Sequence, residues 1–320
     1  MLAPNPDLVS NFFEPFERVV DDFDAINDSL TGVFQQRIAE GSTFAWRGAV
    51  DAGWPLHSSL YRRLCWTTSS VKAPKEPALR KAEDEVLVAA HQWGLHNGAR
   101  GRLSVLEQLA TLQHFGAPTR LVDVSLNAYV GLWFAVEEQY ENGDSSPDVD
   151  GRLFAIDITD RLINEDSVRR RWEDDYQAPW HCFGTDREWC GRTWAWEPPP
   201  FESRIASQRG AFLFSGVPQA GCGVSWPTAP GAAKREIDEV RQCTSLALRF
   251  HAIDAEGAAG RPGTQPAFTF RITAAAKADI RARLGSLFGY EHSTLYRDFP
   301  GFAQFGVPKL RHRPPERKAT

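Results

Sequence analysis

The chain has 320 residues, 42% of them hydrophobic and 24% charged, with a formal net charge of −5. This balance excludes a mainly disordered chain, a collagen-like repeat and a coiled-coil rod, and no apolar run is long enough to span a bilayer. It also argues against nucleic-acid binding driven by overall charge, while leaving a local basic groove open. The N-terminus has no basic stretch before an apolar core and does not read as a secretory signal. Five cysteines, at 65, 182, 190, 222 and 243, never form a C-x-x-C pair. They predict reduced thiols, a cytoplasmic location and no membrane partner.

Residues 1–40 read as an acidic, amphipathic helical arm. Val9, Phe12, Phe13, Phe16, Val19, Val20 and Phe23 recur at helical spacing, with Asp21, Asp22 and Asp24 among them. Such an arm is a candidate docking element for a basic protein partner. TFAWRG (43–48) predicts a short strand, and the polar, Pro-containing stretch 67–80 a loop. Helices are expected at 78–96 and 102–115, the second ended by Gly116. LVDV (121–124) is β-rich, and Asp123 or Ser125 is placed to cap an almost wholly apolar, hence buried, helix at 126–139. GRLFAIDI (151–158) predicts a strand. Residues 161–200 form an irregular insertion rich in Trp (172, 180, 189, 194, 196), readable as a base-stacking lid or as a small core of its own. Strands follow at 211–215, in LALRFHAI and in PAFTFRIT, then a helix at 274–288 and a basic tail at 306–320. Strands and helices mix without βαβ alternation. The expected fold is therefore α+β, a mixed or antiparallel sheet flanked by helices.

Familiar catalytic signatures are missing. No Walker loop, dinucleotide fingerprint, H-E-x-x-H or G-x-S-x-G element occurs. His181, Cys182 and Cys190 form at most half of a metal site with no second half, so no metal is expected.

Two segments carry more information. FAWRGAVDAGWPLHSSLYR (44–62) resembles the opening of the FRG domain, with Trp46 in place of Phe. QHFGAPTRLVDVSLNAYVGLWFA (113–135) resembles the most distinctive stretch of that family, with Val124 and Ser125 where Trp and Thr are usual. RIASQRGAFLFSG and LFGYEHSTLYRDFPGFAQ resemble two later elements, so the likeness extends over 41–305. The family occurs often in bacteria and phage, which makes a toxin or phage-defence setting the natural expectation.

Arg47 ending a strand, followed by Gly48, also resembles the first motif of mono-ADP-ribosyltransferases, whose split sheet is one form the expected fold can take. That likeness implies NAD as substrate and a macromolecular acceptor. On this basis Arg47 grips a phosphate or the nicotinamide ribose, and Gly48 admits the carboxamide to the backbone. Ser125 positions Arg47 and the ribose, and Gln208 contacts a ribose hydroxyl. His114 and Arg120 bind the pyrophosphate or the acceptor, and Asp123 lies beside them. Gln208 stands where a Glu is usual, so the carboxylate must come from Glu107, Glu202 or Asp123 if the chain is an enzyme. Without one, the Arg cleft, with Arg62, Arg63, Arg204 and Arg209 as further cations, becomes a nucleotide- or nucleic-acid-binding sensor. A third reading, a metal-dependent nuclease, would need Asp123, Asp157 and Asp160 to converge.

Overall fold

The computed structural model describes residues 5–68, 72–98, 101–141, 144–181, 188–200, 203–222, 236–253 and 266–307. Eight strands build one mixed sheet: β1 (Glu17–Val20), β2 (Phe44–Ala49), β3 (Val122–Ser125), β4 (Gly151–Asp157), β5 (Thr193–Trp196), β6 (Gly210–Ser215), β7 (Arg249–Phe250) and β8 (Pro266–Ile272). Their order is β1-β8-β4-β2-β3-β6-β5, with β7 beside β1 on β8. β1 and β7 run parallel to β8, and every other neighbouring pair is antiparallel. The fold is thus α+β, a mixed sheet with helices against it. The longer helices are α1 (Pro6–Phe13), α2 (Phe23–Ser29), α3 (Ser59–Thr67), α4 (Glu76–Gln92), α5 (Val105–His114), α6 (Ala128–Val136), α7 (Ser203–Ser207), α8 (Ile237–Cys243) and α9 (Ala274–Phe288). Among the described residues, no helix is long and apolar enough to cross a membrane.

β4 is buried at every position, because both faces of the sheet are covered. Alternation assigns its residues. Trp46, Leu153, Ala155, Phe268 and Phe270 face α6 and α9, while Ala45, Phe154, Ile156 and Leu213 face α1 and α8. Helix α6 lies unusually close to β2. A Cβ on Gly48 would run into the backbone of Gly131, Phe134 and Ala135, and one on Gly131 would meet Trp46 Cβ at 2.6 Å. These two glycines set the distance between helix and sheet.

Three expectations change. The acidic arm is part of the core. Phe12 and Phe13 pack edge-on against each other and against Phe250, β1 pairs with β8, and Asp22 caps α2 by accepting from Ala25 N. The Trp-rich insertion supplies β5, and its five tryptophans are each at most 4% exposed, so they form a core rather than a lid. The apolar helix is capped by Asn127, whose side chain accepts from Tyr129 N and Val130 N, and not by Asp123 or Ser125. The basic tail expected at 306–320 lies outside the described residues beyond 307.

Candidate functional site

β2 and β3 are registered at a single pair, Trp46 and Ser125. Beyond it the strands part, and Arg47 reaches across the fork. Its Nη1 donates to the Asp123 carbonyl at 2.9 Å and lies 3.7 Å from Asp123 Oδ2. A cleft of about 410 Å³ opens at this fork. Its walls come from β2 and the 50–57 segment on one side, and from the end of α5, α7 and the 292–306 turns on the other. Its floor is Val124, Phe154 and Ala211.

Most of the residues singled out from sequence meet here: Arg47, Gly48, His114, Asp123, Ser125 and Gln208 all line the cleft, as do Arg62 and Arg204. Their bonding differs from the expected roles. Ser125 Oγ donates to Gln208 O at 2.6 Å and accepts from Asn127 N, so it ties β3 to α7 and does not touch Arg47. Gln208 Nε2 donates to Leu295 O at 3.0 Å, fastening the 292–306 turns over the cleft. Gly48 is required by the approach of α6 rather than by a ligand. His114 Nε2 lies 3.8 Å from Asp298 Oδ2, and that carboxylate is held by Arg204 Nε at 2.8 Å and Nη2 at 3.1 Å.

Arg120 is elsewhere. It is buried, with Nε on Glu83 at 2.8 Å, Nη1 on Glu76 at 3.2 Å and its plane 4.2 Å over Trp180. Two carboxylates consume the guanidinium, which makes Arg120 a core cation and not a cleft ligand. Among the other acids, Glu107 belongs to the capping box of α5 with Ser104, and Glu202 lies outside the described residues. Asp157 caps a turn at Thr159 N. Among the described residues, no three His, Cys, Asp or Glu side chains are grouped to hold a metal ion. Of the supposed metal half-site, His181 bonds Asp84 at 2.9 Å, Cys190 is buried, and Cys182 lies outside the described residues.

The carboxylate that sequence reasoning missed is Glu137. It lines the cleft and is 9% exposed. Its Oε1 accepts from Tyr296 Oη at 2.9 Å, and His292 Nε2 lies 3.3 Å away. Burial and the Glu137 charge push the Tyr296 phenol up, so it stays a neutral donor. One signal was available: Glu137 stands at the C-terminal end of α6, where the helix dipole disfavours an acid. An acid kept there has a reason outside helix stability.

Electrostatically, the cleft is poised for an anion. Burial and the neighbouring Arg47 and Arg63 cations lower the pKa of Arg62, and among the described residues no carboxylate pairs with it. His57, on the same wall, donates through its ring to Arg241 O at 2.9 Å. Burial pushes it down to about 3, so it is neutral at physiological pH.

Residues 42–144 match the family model of the FRG domain. The matched stretch holds Arg47, Gly48, Arg62, His114, Asp123, Ser125 and Glu137, while Arg204, Gln208 and Tyr296 lie beyond it. No curated protein and no solved structure matches the chain. A domain match of this kind does not by itself name a reaction.

Proposed function

We propose that the cleft at the β2–β3 fork binds a nucleotide, and that its substrate is NAD, cleaved at the bond between nicotinamide and ribose. One observation carries the reading: Arg47 and Arg62, mutually repelling, line the same cleft as the buried carboxylate of Glu137. The arginines suit a phosphate. Glu137, oriented by Tyr296, suits the positive charge that develops on the ribose C1′ as nicotinamide departs with the bonding electron pair. Water or an acceptor nucleophile then adds at C1′, and its proton is taken up by a carboxylate. Glu137 thereby fills the place left open by Gln208. In a toxin or phage-defence protein, this chemistry would deplete NAD or modify a macromolecule.

The binding-only reading has its own support. Ser125 and Gln208 are both used as fasteners within the fold, so the cleft can serve as a nucleotide sensor without turnover. Nicotinamide release from NAD by purified protein, together with transfer of labelled ADP-ribose to a cell lysate, decides between them. Release that Glu137→Gln abolishes supports the enzyme. Nucleotide binding with no release by wild type, with or without lysate, contradicts it and leaves the sensor.

A further inference from the structure

At the mouth of the cleft, the 50–57 segment turns sharply, with Trp54 N donating to Asp51 O at 3.1 Å. The turn presents the Trp54 indole at the rim, 48% exposed, while Pro55, Leu56 and His57 continue the wall inward. The five tryptophans of 172–196 are sealed in the core, whereas Trp54 lines the cleft. A half-exposed indole beside a water-filled cleft is costly to leave uncovered and well suited to stack a flat ring. The same wall continues into α3, which supplies Arg62. Arg47 enters from the neighbouring strand. A stacking surface and a pair of phosphate-binding cations therefore border one cavity.

We infer that the cleft recognises a nucleoside 5′-phosphate as a unit, with the base stacked on Trp54 and the phosphate held by Arg47 and Arg62. This rests on the nucleotide reading above and adds to it a specificity-determining residue. Either half of a dinucleotide presents such a unit. His57 supports the assignment because its ring donates to a backbone carbonyl, leaving a neutral acceptor and not a third cation beside the base.

The test is a calorimetric titration with AMP and with ribose 5-phosphate, which differ by the base alone. Wild type is expected to bind AMP at least about 10-fold more tightly than ribose 5-phosphate, the order expected for one base–aromatic stack. Trp54→Ala removes that difference and leaves ribose 5-phosphate binding unchanged, while Trp54→Phe keeps most of it. Arg62→Gln weakens both ligands by the same factor. Equal affinity for the two ligands, unaltered by Trp54→Ala, overturns this inference and leaves the anion cleft standing. Failure of both ligands to bind overturns the cleft reading itself and this inference with it.

Discussion

The guanidinium of Arg62 repels that of Arg47 within one cleft, and of the two, only Arg47 has a carboxylate beside it among the described residues. An arrangement of like charges that the fold does not neutralise stabilises whatever anion enters. Inorganic phosphate should therefore raise the thermal midpoint of the wild-type protein, by mass action on the folded state. Arg62→Gln should not lower the midpoint of the free protein, and it should remove most of the phosphate-induced rise. A rise that survives in Arg62→Gln would place the anion elsewhere.

Gly48 gives a separate prediction because its requirement is steric. The Cβ of Gly48→Ala meets backbone atoms of Gly131, Phe134 and Ala135, none of which can rotate away. The variant should lose about 3 kcal/mol or more of stability, or rearrange the β2–α6 contact. Urea unfolding measures this. A near-neutral effect would mean that α6 is free to shift, and that Gly48 is kept for the ligand after all.

Arg120 should behave as a core residue. Arg120→Ala leaves Glu76 and Glu83 buried without their cation, which typically costs roughly 3–5 kcal/mol. The fraction that stays folded at low temperature should bind nucleotide with unchanged affinity. Reduced affinity at full folding would return Arg120 to the site.

These two residues show where the sequence was legible. Local chemistry read well. The Ser104–Glu107 capping box, the αL Gly116 and the strand GRLFAID each depend on neighbours within a few residues, and they appear close to where they are expected. Pairing over long range did not. β1 sits inside a stretch with helical periodicity and becomes a strand because β8 offers it an edge, and TWAW becomes β5 because β6 does. The site divides in the same way. Arg47, His114, Asp123, Ser125 and Gln208 were found from motifs, and the cleft assembles them. Their bonds depend on the 292–306 turns, whose contact with Glu137, Gln208 and Arg204 spans 87 to 159 positions of sequence and leaves no local trace. Arg120 was misassigned because its partners, Glu76 and Glu83, lie in a helix about forty residues upstream.

His57 predicts a pH dependence. Burial, and to a smaller extent the Arg62 cation, hold it at about 3, against the pull of its bond to the Arg241 carbonyl. Its unfolded value is about 6.5, so between these limits the unfolded chain binds a proton that the folded protein does not. Stability should accordingly fall as pH drops from 6.5 towards 3, by on the order of a few kcal/mol from this group. His57→Gln should flatten that limb in urea titrations taken at several pH values. An identical slope in the variant would assign the acid sensitivity to other groups.

The most direct test of the central claim is a calorimetric titration of NAD into the wild-type protein and into Arg47→Ala/Arg62→Ala, each checked for an intact fold by circular dichroism. The account predicts saturable one-to-one binding to wild type and none to the double variant. Equal binding to both, or none to the wild type, would contradict it.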